Sequence, residues 1–169
     1  IAVDMDEHRL EDTLKNLNRL GISSAELMVL DLTRHESLER LGRFNKILVD
    51  APCSNLGVLR HNPEIKYRLK PNNLAELAKI QIEILTNAAN LVEPGGFIIY
   101  SVCTITCEET THLVNEFLKR NRNFKLDPIG HEEVPEKHLI DGNGFLNTFP
   151  PREGLSLDGF FAARLISCS

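Results

Sequence analysis

Two hydrophobic patterns alternate along the chain. Short apolar runs that are rich in β-branched residues and end in an acidic or small residue predict strands, whereas apolar residues three and four positions apart predict helices. A first strand ends at Asp4, Asp6 is placed to cap the helix that follows, and Gly21 is placed to end it. The inward face of this helix is predicted to carry Leu10, Leu14, Leu17 and Leu20.

Further strands are predicted over residues 27–31, 46–50, 97–101, 126–129 and 159–166. The run from Lys46 to Asp50 is nearly all apolar between its ends, which predicts a parallel strand covered on both faces. Residues 130–157 are rich in Gly, Pro, His and acids, which predicts a long surface loop with a short strand over residues 145–149. Together these elements predict a single open α/β sheet with helices on both faces.

The remaining helices are predicted from their end signals. A short helix is expected over residues 37–41 and a long one over residues 74–92, which Asn73 is placed to begin as part of a capping box. Thr106 and Glu109 repeat the capping-box spacing. They predict the start of a helix directly after that threonine.

Composition narrows the class of protein. With 169 residues, of which 42% are hydrophobic, the chain has the length and core of one ordinary domain. A net charge of -5 argues against a surface that is entirely a nucleic-acid footprint, although it permits a local basic face. No apolar run reaches the roughly 18 residues of a membrane span, and no leader segment is visible. The sequence favours a cytoplasmic protein.

The cysteines favour a reducing compartment. The four of them, at positions 53, 103, 107 and 168, lack the paired spacing of a zinc site. They are also too few for a disulfide framework in a chain of this size. We therefore expect reduced thiols and no bound metal.

Chemically useful side chains follow four predicted strands, at the edge where ligands of open α/β sheets bind. The residues at these strand ends are Asp4, Asp31, Asp50 with Cys53, and Cys103. An acid after the second strand of a nucleotide-binding sheet commonly accepts hydrogen bonds from ribose hydroxyls, which suits Asp4. A turn or capping role is the alternative for both acids; it fits Asp4 less well because Asp6 already fills that role nearby, whereas Asp31 has less support as a ligand.

Two of the cysteines are placed for chemistry. Cys53 follows Pro52, whose ring fixes the backbone and predicts a rigid turn. Cys103 lies three residues before the predicted helix start at Thr106, where backbone amide groups could stabilise a thiolate. A small buried hydrophobic residue is the common alternative for any one cysteine, but it fits less well for two of them at two strand ends.

A basic segment follows the first of these cysteines. RHNPEIKYRLK, residues 60 to 70, places Arg60, Lys66 and Arg68 beside Tyr67. Phosphate contacts combined with one aromatic plane suit single-stranded RNA. A solvated loop with incidental charge is an equally good interpretation.

Two long segments carry a resemblance to a known family. DAPCSNLGVLRHNPEIKYR, residues 50 to 68, and YSVCTITCEET, residues 100 to 110, resemble the RNA (cytosine-5)-methyltransferases of the Sun/Fmu family, which act on ribosomal RNA. AVDMDEHRLEDTLKNLNRLG, residues 2 to 21, is similar to the ribose-binding segment of that family. DGFFAARL, residues 158 to 165, is similar to its closing strand, so the resemblance spans nearly the whole chain.

The resemblance implies a role for each candidate residue. Cys103 falls on the nucleophile of the family and Cys53 on the cysteine that assists product release. Asp4, Asp31 and Asp50 fall on positions that line the site of the cofactor, S-adenosyl-L-methionine. The implied reaction is methylation of carbon 5 of a cytosine in RNA, with 16S ribosomal RNA as the expected substrate.

The resemblance also refines the expected fold. It implies a Rossmann-like class I methyltransferase sheet, mostly parallel, with an antiparallel C-terminal strand. Residues 1–169 are then expected to form a partial catalytic domain, because the first strand and the Gly-rich cofactor loop of the family would precede Ile1. We expect this chain by itself to bind the cofactor weakly or not at all.

Three other functions fit the sequence less well. A dinucleotide-dependent oxidoreductase would also use an acid after its second strand, but it would leave both cysteine motifs unexplained. A non-catalytic RNA-binding module would not need both Cys53 and Cys103. A methyltransferase acting on exocyclic amines normally has two prolines and an aromatic residue after the Asn or Asp, where this chain has Asp50-Ala51-Pro52-Cys53.

Overall fold

The structure, a computed structural model, describes residues 1–149 and 157–168. The chain divides into two compact units, Ile1–Gly42 and Arg43–Ser169. The strands form two hydrogen-bonded sheets, one in each unit, where the sequence predicts a single sheet. The part of the predicted loop between residues 150 and 156 lies outside the described residues.

The first unit is one βαβ unit followed by a short 3₁₀ helix. Its elements in chain order are β1 (Ala2–Asp4), α1 (Glu7–Arg19), β2 (Leu27–Val29) and the 3₁₀ helix His35–Arg40. The two strands pair in parallel. Asp6 caps α1 as predicted, since its Oδ1 accepts a hydrogen bond from the amide of His8 at 2.9 Å. Gly21 follows the helix with a φ of 70°, a conformation that glycine adopts without steric cost.

The predicted inward stripe of α1 is wrong in part. Leu10 is buried, but Leu14 is 46% exposed and Leu20 is 59% exposed. Two strands of three residues each cannot cover the apolar face of a helix of 13 residues. Periodicity identified the apolar face of the helix, but not how much of it is covered.

The second unit is built on a five-stranded mixed sheet. Its strands are β3 (Phe44–Asp50), β4 (Val92–Val102), β5 (Phe124–Leu126), β6 (Leu146–Asn147) and β7 (Phe161–Ser167). Its helices are α2 (Ile65–Arg68), α3 (Pro71–Ala89) and α4 (Thr111–Arg120), with 3₁₀ turns at Leu56–Val58 and Lys137–Leu139.

The sheet has the predicted strand directions. The strand order is β3-β4-β7-β5, and β6 also pairs with β7. The strands β3 and β4 are parallel, whereas β7 is antiparallel to β4, β5 and β6. All strands of this sheet except the C-terminal one therefore run in the same direction, which confirms the predicted mostly parallel sheet with a reversed last strand.

The structure corrects the predicted starts of one helix and one strand, and the predicted burial of another strand. The helix α3 begins before Asn73, whose Oδ1 accepts a hydrogen bond from the amide of Lys70 at 2.8 Å inside the first turn. The strand β4 begins at Val92, five residues before the predicted start of the strand at residue 97. The prediction that β3 is covered on both faces is wrong, because Val49 is buried while Leu48 on the opposite face is 69% exposed.

The core of the second unit lies where helices α3 and α4 meet the sheet. Its fully or almost fully buried side chains include Leu85 of α3, Ile98 and Tyr100 of β4, Phe117 of α4 and Phe161 of β7. Burial of large apolar side chains supplies most of the free energy that holds such a layer together. The core therefore fixes the central strand β4, from which one of the two cysteine loops leaves the sheet.

Two glycines let three loops approach one another. The Gly57 amide donates a hydrogen bond to the carbonyl of Cys103 at 3.1 Å, and the Gly159 amide donates one to the carbonyl of Gly57 at 2.8 Å. A Cβ atom on Gly57 would lie 1.8 Å from the carbonyl oxygen of Gly159. Only a residue without a side chain fits at position 57, so the loops after β3 and β4 and the segment before β7 are held together there.

Replacing Gly57 by alanine should destabilise the second unit. The added methyl group meets backbone atoms rather than a flexible side chain, so the three loops must move apart, at a cost of about 1–3 kcal/mol in the free energy of unfolding. Gly42→Ala is the matched control, because its Cβ would have no atom within 4 Å. Urea unfolding followed by circular dichroism measures both variants; equal stabilities would contradict the described loop contact.

Candidate active site

The two parallel strands β3 and β4 bring the cysteine loops together. Asp50, the last residue of β3, is in register with Ser101 of β4, so the two strands end side by side. Cys53 and Cys103 follow these ends within three and two residues. Their Sγ atoms are 3.3 Å apart. The structure therefore places both sequence-predicted thiols at one point, at the edge of the sheet where ligands of this architecture bind.

The two thiols differ in their surroundings. Burial raises the pKa of Cys53 to about 12, helped by the neighbouring Cys103 sulfur and opposed by the backbone amide of Asn55. Cys53 is therefore a neutral thiol at physiological pH. The side chain of Asn55 contacts both groups, since its Oδ1 lies 2.8 Å from the Cys103 Sγ and 3.4 Å from the Cys53 Sγ.

A buried carboxylate lies behind the two loops. Glu109 has no solvent exposure, and its Oε1 accepts hydrogen bonds from the Ser54 amide at 2.8 Å and the Gln81 Nε2 at 2.9 Å. Its Oε2 accepts hydrogen bonds from the hydroxyls of Ser54 at 2.5 Å, Thr104 at 3.0 Å and Thr106 at 2.8 Å. Five donors thus converge on one carboxylate, which compensates for the water it loses on burial.

The Glu109 network fixes the backbone next to each thiol. Ser54 directly follows Cys53, and Thr104 directly follows Cys103, so the carboxylate binds the residue after each cysteine. The hydroxyls of Ser54 and Thr104 also lie 2.7 Å apart. Because one side chain holds both loops, movement of either sulfur away from the other requires breaking hydrogen bonds in a buried site.

The network is anchored to the core of the second unit. The Tyr100 hydroxyl donates a hydrogen bond to the backbone carbonyl of Glu109 at 2.8 Å, and burial raises the pKa of this tyrosine. The Gln81 Nε2 on α3 also donates to the carbonyl of Pro52 at 2.8 Å. A helix and a core strand thereby hold the segment that precedes α4 and the turn that carries Cys53.

The sequence assigned a different role to Glu109. Its spacing from Thr106 predicted a capping box, but α4 begins at Thr111, and Glu109 instead points its carboxylate at the cysteine loops. The proposed stabilisation of a Cys103 thiolate by a helix start at Thr106 loses its basis for the same reason. The spacing correctly predicted the hydrogen bond between Thr106 and Glu109. It did not predict the partners of Glu109 that are distant in the sequence.

The first unit holds two of the predicted acidic residues. Asp4 and Asp31 lie at the carboxyl ends of the parallel strands β1 and β2, and the amide of Leu30 donates to the carbonyl of Asp4 at 3.0 Å. The carboxylate of Asp4 accepts from the Asp6 amide at 2.9 Å. Hydrogen bonds from the Thr33 hydroxyl and amide lower the pKa of Asp31. Both side chains therefore already have local turn-forming partners.

The third predicted acid, Asp50, belongs to the same unit as the thiols. It is exposed at the end of β3, and the Ser101 hydroxyl donates a hydrogen bond to its Oδ1 at 3.5 Å. This carboxylate lies at the sheet edge from which the two cysteine loops leave. Of the residues predicted for catalysis and cofactor binding, the second unit therefore contains Asp50, Cys53 and Cys103.

The basic side chains of residues 60–70 differ in their surroundings. Lys66 and Arg68 are exposed on the four-residue helix α2, and the Lys66 Nζ lies 4.8 Å from the centre of the Tyr67 ring. Tyr67 is 79% exposed, which is high for an aromatic residue. Arg60, in contrast, donates from its Nε to the Oδ1 of Asp158 at 2.7 Å. Its guanidinium is therefore engaged with the segment that precedes β7.

Residues 1–149 and 157–168 contain neither a cluster of metal ligands nor a helix suited to a membrane. No group of three or more His, Cys, Asp and Glu side chains in that part of the chain is arranged to hold a metal ion. Within the same residues, no helix has both the length and the apolar character that crossing a membrane requires.

The chain matches known methyltransferases over nearly its whole length. A family model described as 16S rRNA methyltransferase RsmB/F matches residues 1–166. The chain is 38% identical over 166 residues to ribosomal RNA small subunit methyltransferase B from Klebsiella pneumoniae. It is 37% identical over 165 residues to the protein of the same name from Thermus thermophilus. These matches cover 98% of the chain and 36% and 38% of the two relatives, so the chain spans little more than a third of their length.

A solved structure confirms the fold class. The crystal structure of NSun6 from Pyrococcus horikoshii with SFG superposes with a TM-score of 0.79 at 27% sequence identity. The match covers 99% of this chain and 41% of that protein. The predicted Rossmann-like methyltransferase sheet is therefore confirmed, together with the resemblance that carried the prediction.

Replacing Glu109 by glutamine should weaken the site without changing its shape. The amide nitrogen would replace the Oε2 that three hydroxyls share, so these hydroxyls would lose a charged acceptor and would have to rotate to accept instead, and we expect the free energy of unfolding to fall by about 2 kcal/mol. The exposed neighbour provides the control: Glu108→Gln should change stability by less than about 0.5 kcal/mol. Urea unfolding at neutral pH measures both; similar values for the two variants would show that the network does not stabilise the loops.

Proposed function

This chain belongs to the 16S rRNA methyltransferase RsmB/F family, and we propose that it carries the catalytic centre of an RNA (cytosine-5)-methyltransferase. The observation that carries the proposal is the 3.3 Å separation of the Cys53 and Cys103 sulfurs at the ends of two parallel strands. Methylation of a ring carbon in cytosine needs a nucleophile and a base at the same pyrimidine. Two thiols at one point can serve both needs.

Carbon 5 of cytosine is a poor nucleophile, so the ring must first be activated. We propose that the Cys103 thiolate adds to carbon 6, which moves the ring electrons towards carbon 5 and makes it an enamine carbon. S-adenosylmethionine, when bound, supplies the methyl group that carbon 5 takes. A base then removes the carbon 5 proton, the double bond re-forms, and the Cys103 sulfur leaves carbon 6.

The difference between the two thiols supports assigning attack to Cys103. With a pKa of about 12, Cys53 keeps its proton at physiological pH and is a poor nucleophile. Its neutral S–H can donate a hydrogen bond to the Cys103 sulfur, 3.3 Å away. The reverse assignment would require ionising a thiol whose pKa is raised by burial, with the other sulfur next to it.

The same geometry supports a role for Cys53 in product release. In the adduct, the Cys103 sulfur is a thioether without charge, so one of the causes that raise the pKa of Cys53 is removed, although its burial remains. A thiol of high pKa is a strong base once it has lost its proton. We propose that the proton at carbon 5 is taken by Cys53, after Cys53 has released its own proton to solvent, or by a water molecule that Cys53 orders.

We further propose that Asp4, Asp31 and Asp50 hold the cofactor. All three carboxylates follow strand ends, where ligands of these sheets bind, and the side chains of Asp4 and Asp31 are 28% and 29% exposed. Carboxylates that are partly exposed at such positions fit the hydroxyl groups of a ribose. The similar protein from Pyrococcus horikoshii was crystallised with SFG, an analogue of S-adenosylmethionine, which supports this cofactor.

For RNA binding we propose the segment that follows Cys53. Lys66 and Arg68 can contact phosphates, and the exposed Tyr67 ring offers a surface on which an unpaired base can stack. Arg60 can contribute to the same surface only in competition with its ion pair to Asp158. A cytosine in a helix must leave its stack before the two thiols can reach it.

RNA that contains 5-fluorocytosine tests the proposal. Fluorine at carbon 5 cannot leave as a proton does, so the full-length protein should remain covalently attached to this RNA in the presence of S-adenosylmethionine. Cys103→Ala should abolish the adduct, and Cys53→Ala should allow the adduct to accumulate even with ordinary RNA. Denaturing gel electrophoresis and mass spectrometry detect the adduct.

Cys107→Ala is the matched control, because Cys107 is exposed and follows Cys103 by four residues. It should form the fluorocytosine adduct as the unmodified protein does. Full methylation activity in Cys103→Ala would exclude Cys103 as the nucleophile.

A further inference from the structure

Asn55 occupies an unusual backbone position next to both thiols. It has a φ of 58° and a ψ of 21°, which is the left-handed helical region, and it is the one non-glycine residue with positive φ among the residues that the structure describes. This region costs most residues with a side chain about 1 kcal/mol or more, and asparagine tolerates it better than most. The conformation directs the carboxamide towards the sulfurs of Cys53 and Cys103.

The contact with Cys103 is the shorter of the two. The Asn55 Oδ1 lies 2.8 Å from the Cys103 Sγ and 3.4 Å from the Cys53 Sγ, so one oxygen can accept an S–H hydrogen bond from either thiol. A carboxamide also carries an NH₂ group with two donors. A half-turn of the amide about χ2 exchanges the oxygen and the nitrogen, so the same side chain can accept from a thiol or donate to a thiolate.

We propose that Asn55 is a positioning residue that aims the Cys103 sulfur and stabilises its ionised form by donating from Nδ2. The inference deepens the function proposed above, because attack on a pyrimidine needs the thiolate. An amide donor stabilises negative charge on sulfur without adding a titratable group to the site.

The ionisable groups near Cys103 leave the stabilisation of its thiolate to a neutral donor such as an amide. Those on the elements packed around Cys103 are Cys53, Asp50, Glu109, and Asp158 with its partners Arg60 and His61. The carboxylates in this set have no donor that could stabilise a thiolate, and the Arg60 guanidinium is engaged with Asp158. Among the described residues, the Cys103 sulfur has hydrogen-bond contacts with Asn55 and Cys53, and of these two the asparagine side chain carries N–H donors.

Two substitutions separate the electrostatic role from the backbone role. Asn55→Gly removes the amide and leaves a residue that adopts the left-handed conformation freely. Asn55→Asp keeps the shape of the side chain but places a negative charge beside the sulfur, where the oxygen now lies 2.8 Å away. At pH values below the midpoint of Cys103 ionisation, Cys103 should react with a thiol reagent about tenfold more slowly in Asn55→Asp than in the unmodified protein. This corresponds to a pKa about one unit higher. The effect of Asn55→Gly should be about threefold.

The rate of alkylation by iodoacetamide between pH 6 and pH 10, measured by mass spectrometry of the Cys103 peptide in the full-length protein, provides the test. Cys168 is exposed and serves as an internal reference for reagent and pH. We expect the midpoint of the Cys103 profile to rise in both variants, and more in Asn55→Asp, while urea unfolding shows a folded protein. Unchanged midpoints in both variants, including slower labelling at every pH, would overturn the proposal.

The 5-fluorocytosine adduct distinguishes this inference from the proposed function. If the unmodified protein forms no adduct but the alkylation midpoints shift as expected, the function fails and the role of Asn55 towards the Cys103 thiolate stands. If the adduct forms but the midpoints do not move, the function stands and the inference fails. If both are as expected, adduct formation at pH 7.5 should be slower in Asn55→Asp than in Asn55→Gly.

Discussion

One buried carboxylate holds together the part of the molecule where chemistry is expected. Glu109 accepts hydrogen bonds from the residues that follow both cysteines, Ser54 and Thr104, and it has no contact with solvent. A charge in such a position is strongly destabilising unless its hydrogen bonds are complete, so the loops have little freedom to move while the carboxylate is satisfied. The 3.3 Å distance between the two sulfurs follows from this constraint.

The constraint connects the fold to the proposed reaction. The parallel register of β3 and β4 starts both loops at one sheet edge, and the carboxylate then fixes where each loop turns. The close approach of Gly57 to Gly159 adds the segment before β7 to the same assembly. The thiols themselves remain partly accessible, so a rigid support lies behind a reactive surface, as a covalent mechanism requires.

The meeting of the two thiols could be predicted because the position of each cysteine depends only on where its own strand ends. An apolar run followed by Asp50 or Ser101 marks a strand end, and parallel neighbours end at the same edge, so Cys53 and Cys103 could be expected to meet. Periodicity likewise placed α1 and its cap at Asp6. Resemblance to a methyltransferase family then gave the fold class, which the comparisons confirm.

The supporting network could not be predicted in this way. The partners of Glu109 lie 28 and 55 positions away in Gln81 and Ser54, and nothing in the spacing of these residues indicates that they meet in a buried site. The same limit explains the exposed Leu48 and Leu14, since a pattern shows which face is apolar but not what covers it. The sequence does not indicate Asn55 either, because its role depends on a backbone conformation that its sequence context does not specify.

The distance between the two sulfurs is the central claim, and mild oxidation measures it most directly. Treatment of the reduced protein with diamide converts two adjacent thiols into a disulfide, and peptide mapping identifies the pair. The account predicts that Cys53 and Cys103 form an intramolecular disulfide before Cys107 or Cys168 reacts, and that a reductant restores both thiols. Oxidation that leaves Cys53 and Cys103 as separate thiols, or pairs either of them first with another cysteine, would contradict it.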